Sequence, residues 1–321
     1  MKNITVWCTA AAVLVAIASA MAENEKPVII SQPTSVKAKV GDSVTFTVGA
    51  RDVNTNDKKN FTTSILGMVD LDMIWVNPGT FMMGSPETEM GHQDNETLHK
   101  VTLTKGFWMG KYEVTQAQYY AVMREIPRSM YADDEDYKDN KPVFYVGEEN
   151  AETFCDRLTQ IERAAGNIPM NYKYTLPTEA QWEYACRAGT TTALNNGKNL
   201  LTSWLSTDVN LDEVAWYGGN SDYKVHEVGQ KLPNAWGFYD MHGNVCEWCL
   251  DRPVEGSIWN GFYIPSLGAE DVTDPFAEGA AALVRGGSSQ SEIANTRSGY
   301  RGYRVEDALP TGFRVVLVPV E

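Results

Sequence analysis

The sequence predicts an α+β fold with low regular secondary structure, and three observations lead to this class. Two amphipathic helix patterns cover residues 151–165 and 178–188, and short strand patterns lie before and after them. Beyond residue 190 the periodicity fades, and long loops rich in Gly, Asn and Trp take over. The chain is 43% hydrophobic, and the Trp and Tyr residues of these loops favour an ordered, packed domain.

The first 22 residues have the features of a secretory signal peptide. Lys2 precedes an apolar run at residues 4–18, and small residues ending at Ala22 offer a cleavage site. The run is shorter than the roughly 20 residues that a membrane span needs, so an uncleaved anchor is the weaker alternative. We therefore expect an exported protein (periplasmic, secreted or at the cell surface) with no transmembrane segment in the mature chain.

The net charge argues against one class of partner, and the cysteine content leaves the pairing of the thiols open. The formal net charge of −15 argues against a nucleic-acid partner, because binding phosphates needs a basic face. Signal-peptide cleavage leaves four cysteines, which allow three disulfide connectivities. A chain of this length buries a sufficient core without disulfides. The sequence therefore leaves open whether these residues are free or paired: Cys155, Cys186, Cys246 and Cys249.

A small β unit is predicted at residues 23–50, ahead of the main domain. Segments 36–40 and 43–48 alternate around a Gly-Asp turn and resemble the opening strands of an immunoglobulin-like domain. Residues 51–70 are mostly polar and are predicted to be a linker. The main domain then covers residues 71–321.

Within the main domain, the helix boundaries carry the clearest local patterns. Thr115 is a predicted N-cap, and Thr178 forms a capping box with Gln181. Gly189 supplies the end of the second of these helices. Cys155 falls on the apolar stripe of the helix between them, where a buried thiol behaves as a small hydrophobe. Strands are predicted at residues 74–76, 80–83, 100–104 and 312–318.

A series of motifs between residues 73 and 318 resembles the sulfatase-modifying-factor family, the domain of formylglycine-generating enzymes. The most specific are residues 111–119, 176–190, 234–251 (NAWGFYDMHGNVCEWCLD) and 285–288 (RGGS). The resemblance implies a compact, irregular fold related to C-type lectins. For the best-known members it also implies oxidation of a sulfatase cysteine to formylglycine, with copper, dioxygen and a cysteine pair shortly after the Gly-Gly-Ser motif.

That cysteine pair is missing here. Ser291 and Thr296 stand nearest the expected positions, and no cysteine follows Cys249. A hydroxyl is a poor Cu(I) ligand and does not exchange electrons as a thiolate does. We therefore expect a non-oxidase binding or accessory module with a cleft for a peptide, protein or glycan, and no copper. The alternatives are an active oxidase-type enzyme that uses Cys246 and Cys249, and a structural component of the cell envelope or surface.

The C-x-x-C spacing of Cys246 and Cys249 does not predict a redox pair. The run from 245 to 250 is predicted to be a strand, and residues three apart on a strand face opposite sides.

A calcium site is implied by the family's G-N-V-x-E-W loop, which matches Asn244, Val245 and Glu247. Calcium takes about six to eight oxygen ligands, so other loops would have to complete the site. The alternative is a capped turn in which Glu247 binds backbone N–H groups or an arginine.

A ligand cleft is the second candidate site, in the C-terminal motif. Arginine side chains there would grip carboxylates or peptide carbonyls through paired hydrogen bonds. The alternative is internal pairing of these arginines with the chain's excess acids. Hydrolase chemistry is not supported, because the serines have no identifiable base and no G-x-S-x-G motif. The predicted cleft residues are Arg285, Ser288, Ser291, Arg297, Arg301 and Arg314.

Overall fold

The computed structural model describes residues 28–29, 50–51, 59–127, 138–202, 207–252, 271–279, 282–303 and 309–320. Near the N-terminus, β1 (Val28–Ile29) pairs antiparallel with β2 (Ala50–Arg51). The strands predicted at 36–40 and 43–48 lie outside the described residues.

The main domain is built on short strands. In chain order they are β3 (Phe61–Ile65), β4 (Val69–Val76), β5 (Gly79–Met83), β6 (His99–Leu103), β7 (Phe107–Gly110), β8 (Tyr172–Thr175), β9 (Ala215–Trp216), β10 (His242–Gly243), β11 (Cys246–Cys249), β12 (Val272–Thr273), β13 (Leu283–Arg285), β14 (Gly302–Tyr303), β15 (Thr311–Gly312) and β16 (Val316–Pro319).

These strands form one antiparallel sheet of five and several smaller sheets. The largest has the order β3-β4-β7-β16-β8, which places the last strand of the chain between two early ones. A four-stranded sheet, β14-β13-β11-β15, carries the C-terminal motif. A three-stranded sheet has the order β12-β6-β5, and β9 pairs with β10.

The predicted helices lie where the sequence places them, and two of them begin with the predicted caps. The helices of the structure are α1 (Gln116–Met123), α2 (Glu148–Ala164), α3 (Glu179–Arg187), α4 (Val209–Asp212) and a 3-10 turn at Ile293–Thr296. Thr115 and Thr178 each form the capping box with a glutamine three residues later. After α3, Ala188 and Gly189 adopt φ of 45° and +94°, a left-handed ending that favours glycine. The predicted helix positions are confirmed.

The five-stranded sheet buries both of its faces. Along β4, Leu71 and Met73 face the helices α1 and α2, whereas Ile74 and Val76 face α3. This alternation follows from the period of two in a strand. The α+β class with low regular secondary structure is confirmed. Among the residues that the structure describes, no helix has both the length and the apolar character needed to cross a membrane.

Two boundaries differ from the sequence predictions. The predicted linker at 51–70 is wrong where β3 lies, because Phe61 and Ile65 alternate with polar residues and β3 pairs with β4 along its whole length. The predicted final strand at 312–318 is two strands, because the chain leaves the four-stranded sheet after Gly312 and enters the five-stranded sheet at Val316.

Candidate functional site

The segment that follows β13 folds back on itself. Gly286 and Gly287 have φ of +88° and +71°, in the left-handed region that side chains rarely adopt. A Cβ on Gly287 would lie 2.6 Å from the carbonyl oxygen of Asn295. Gly287 therefore lets the 3-10 turn pack directly onto the Gly-Gly-Ser backbone, whereas the Cβ position of Gly286 faces Trp182.

Ser291 and Thr296, at the positions expected for the cysteine pair, are buried hydroxyls in local hydrogen bonds. The Ser291 Oγ accepts from the backbone N–H of Ser288 at 2.9 Å and lies 3.3 Å from the Ser288 Oγ. The Thr296 Oγ1 donates to the carbonyl of Ile293 at 2.8 Å. Ser288 and Ser291, predicted to line the cleft together, thus bond to each other.

The four arginines predicted for the cleft are buried; Arg285, Arg297 and Arg314 have no exposed surface. Arg314 forms a fork with Glu247, with its Nη2 2.7 Å from Oε1 and its Nε 2.9 Å from Oε2. It also donates to the carbonyls of Gly110 and Tyr239. This guanidinium therefore ties β11 to the entry of β16.

The other three arginines also bind carboxylates. Arg301 donates to both oxygens of Glu179 at 2.5 and 2.6 Å, and Arg285 pairs with Glu183. Burial alone would raise the pKa of the Glu179 carboxyl, but Arg301 and Arg285 hold it below its ordinary value.

Arg297 completes this set from the 3-10 turn. Its two terminal nitrogens donate to the two oxygens of Glu96 at 2.7 Å, and Nη1 also reaches Glu89 at 2.8 Å. The alternative of internal pairing therefore describes all four arginines, and the predicted cleft needs correction. A buried cation is stable only when a carboxylate compensates its lost hydration. These guanidinium groups therefore stabilise the fold and do not face a ligand.

Of the three residues named for calcium, Glu247 and Asn244 have side-chain oxygens that are already engaged. Both oxygens of Glu247 face the Arg314 fork, and Oε2 also accepts from the Trp182 indole N–H at 2.8 Å. The Asn244 Oδ1 accepts from the backbone N–H of His226 at 3.0 Å. A cation bound here would be repelled by the positive charge of the adjacent Arg314 guanidinium. Within the described ranges, no group of three or more His, Cys, Asp or Glu residues is arranged to hold a metal ion.

The sequence reasoning missed Glu113, which organises this loop. Its carboxylate accepts from the Asn244 amide at 2.7 Å and from the Val245 backbone N–H at 3.0 Å. Burial raises its pKa well above the ordinary value, and the nearby Asp240 and Glu247 raise it further. Burial also raises the pKa of Asp240 to about 6. The sequence does offer one clue to this role, because Glu113 stands between the bulky side chains of Tyr112 and Val114.

Cys246 and Cys249 are free thiols on opposite faces of β11. Cys246 packs in the core under α1 and α2, whereas Cys249 packs in the core under α3. Burial raises the pKa of the Cys246 thiol to about 12. The strand interpretation is confirmed, and neither thiol is exposed as a nucleophile.

His242 beside Cys186 is likewise a structural group. Its Nδ1 lies 2.6 Å from the Thr296 carbonyl, and its Nε2 accepts from the Asn195 backbone N–H at 3.0 Å. Burial lowers its pKa to about 4, which keeps the ring neutral. The Cys186 sulfur lies 4.0 Å from a nitrogen whose lone pair is already used, so the pair is not arranged as a catalytic dyad.

Comparison with known proteins gives two kinds of match. Residues 66–318 match the family described as the sulfatase-modifying factor enzyme 1-like domain. The chain is 31% identical over 189 residues to the chaperone protein LppX of Paenibacillus barcinonensis, covering 47% of this chain and 64% of that protein. It is 30% identical over 163 residues to the formylglycine-generating enzyme of Thermomonospora curvata, covering 45% of this chain and 50% of that enzyme. The chain thus spans less than two thirds of each of these relatives.

Among solved structures, Treponema denticola variable protein 1 shares the fold. The match has a TM-score of 0.64 at 25% identity and covers 81% of this chain and 99% of that chain. The fold is the irregular, C-type-lectin-like α+β fold of the sulfatase-modifying factors. The family match spans most of the described residues and includes every motif described above. This chain belongs to the sulfatase-modifying factor enzyme 1-like domain family.

Proposed function

We propose that this protein is an exported, non-oxidase member of its family that acts as a binding or accessory module. The observation that carries the proposal is the pair Ser291 and Thr296. Both hydroxyls are buried and engaged with neighbouring backbone at the positions where the family resemblance places thiols. Hydroxyls supply neither the soft ligands nor the electron exchange that copper-dependent oxidation requires.

An accessory role also agrees with a relative. The LppX protein, 31% identical over the aligned region, carries the name of a chaperone. A chaperone-like module needs a surface that holds another protein and no reactive centre. Export after cleavage near Ala22 is part of the same proposal and rests on the apolar run at residues 4–18.

An oxidase-type enzyme is the second candidate, favoured by the similarity to the Thermomonospora enzyme. It would have to use Cys246 and Cys249. These thiols are buried on opposite faces of one strand, and burial raises the pKa of each. A Cu(I) ion could not reach both without breaking β11, so we place this candidate second.

Mass spectrometry separates the two candidates. The mature protein is incubated with Cu(I), oxygen and a cysteine-containing sulfatase-type peptide, with the Thermomonospora enzyme as positive control. We expect the peptide to keep its sulfur. Turnover to the aldehyde would remove the non-oxidase proposal.

A further inference from the structure

A surface groove runs along the molecule away from the C-terminal motif. It consists of two adjoining hollows of about 430 and 330 Å³, which share the side chains of Leu250 and Phe276. The larger hollow lies between the end of β6, β8, the start of α3 and the segment 271–279. The smaller hollow continues toward α2. Of the residues that the structure describes between Arg285 and Arg314, none lines either hollow.

The middle of the groove is apolar and open to solvent. Phe276 is 47% exposed and Val320 is 44% exposed, and Leu250 lies beside Phe276 where the hollows meet. Leu103 and Val318 extend the same apolar wall. Contiguous exposed apolar side chains in a concave surface mark a binding site more often than a solvated loop.

The two ends of the groove differ in charge. Lys173, an exposed side chain, lines the larger hollow. The acid there, Asp274, is already bound, because its carboxylate accepts from the backbone N–H of Thr104 at 2.8 Å and from the Thr104 hydroxyl. This end of the groove is therefore positive, on a chain whose net charge is −15.

The opposite end is negative. Glu152, Glu278 and Arg252 line the smaller hollow, and the guanidinium of Arg252 binds Glu148 at 2.9 Å and Glu152 at 3.0 Å. The charged side chains that line this hollow are therefore two carboxylates, Glu152 and Glu278, and one guanidinium, Arg252. A ligand that lies along the groove meets a cation first, then an apolar surface, then anions.

We propose that this groove binds an extended peptide segment of a partner protein. Its apolar side chains lie on Leu250 and Phe276, an acidic group lies at Lys173, and a basic group lies at the Glu152 end. The inference rests on the proposed function and deepens it by naming the ligand class and the site. A glycan fits less well, because its hydroxyls would face an apolar floor without hydrogen-bond partners.

Fluorescence anisotropy with labelled peptides tests the proposal on the mature protein. The probes are short synthetic peptides with one Leu-Phe-Val centre and with ends of opposite charge, both acidic, both basic or uncharged. We expect the opposite-charge peptide to bind most tightly. Lys173→Glu should move the preference toward the both-basic peptide by about tenfold, and Phe276→Ser should weaken every peptide by about tenfold or more.

Matched controls are Lys224→Glu and Leu201→Ser, which change exposed residues outside the groove and should leave binding unaltered. Binding weaker than about 1 mM for all peptides would overturn the proposal. Peptide binding that depends neither on the charges of the peptide ends nor on Phe276 would also overturn it. Binding to a glycan array that is lost in Phe276→Ser would overturn it as well. The aldehyde assay reads a different event, so failure of the non-oxidase function and failure of the peptide site are distinguishable.

Discussion

Single residues of the C-terminal motif act mainly by holding the fold together. Arg314 and Glu247 illustrate this, because both are buried and each satisfies the charge of the other. An isolated buried carboxylate is far less stable than a paired one, so the two positions cannot be changed separately without cost. The family's arginine-rich C-terminus is, in this chain, an internal scaffold.

Arg314→Met should lower the free energy of unfolding by about 3–5 kcal/mol, because it leaves Glu247 buried without its cation. Urea unfolding followed by Trp fluorescence measures the change. Lys198→Met is the matched control, since the Lys198–Glu213 pair is exposed to water and should contribute far less. Equal effects of the two variants would contradict the scaffold role.

His242 makes stability depend on pH in a defined direction. Its folded pKa of about 4 lies below the ordinary value of 6.5, so the unfolded chain takes up the proton first. The stability from the neutral ring is complete above pH 6.5 and is lost as the pH falls toward 4. The advantage of the native protein over His242→Gln should shrink by roughly 3 kcal/mol between pH 7 and pH 4. A pH-independent difference would show that the ring does not titrate as a buried group.

Asn244 and Glu247 predict how the protein responds to chelators. Their oxygens already accept hydrogen bonds from His226, Trp182 and Arg314, so we expect this loop to fold without calcium. EDTA should leave the melting temperature unchanged in differential scanning calorimetry. A decrease that added calcium restores would contradict this donor assignment.

At the scale of elements, β11 explains why the C-x-x-C spacing has no redox meaning. The strand points Cys246 and Cys249 into two different cores, and each thiol is buried. In the mature protein, which lacks Cys8, labelling with a thiol reagent should be slow in the native state and should reach four sites after unfolding in urea. A native Cys246–Cys249 disulfide, seen as a mass lower by two hydrogen atoms in the denatured sample, would disprove this arrangement.

Helix ends could be predicted from the sequence more accurately than the hydrogen-bond partners of buried side chains. The Thr115 and Thr178 boxes depend on neighbours three residues away, so a local pattern was sufficient. Glu113 and the Arg314–Glu247 fork depend on residues 67 to 132 positions apart, which only the folded chain brings together. β3 was missed for the same reason, since its pairing with β4 outweighs a polar composition.

For the whole molecule, the fold of the family is present, and we propose that Ser291 and Thr296 place hydroxyls where the family resemblance expects copper-binding thiols. The family could be inferred from the ordered motifs, because each motif corresponds to an element or a buried ion pair. The groove at Phe276 could not be inferred, because it joins residues from β6, β8, α3 and the segment 271–279. Its residues show no common pattern along the chain.

Cu(I) binding distinguishes a non-oxidase protein from a copper enzyme. Wild-type protein and the Ser291→Cys/Thr296→Cys variant are titrated against a chromogenic Cu(I) chelator under anaerobic conditions. Both side chains lie against the Gly287–Ser288 backbone, so the variant places two thiols at the family positions. We predict that the variant withdraws one Cu(I) per chain from the chelator and that the wild-type protein withdraws none. One tightly held Cu(I) per wild-type chain would contradict the account.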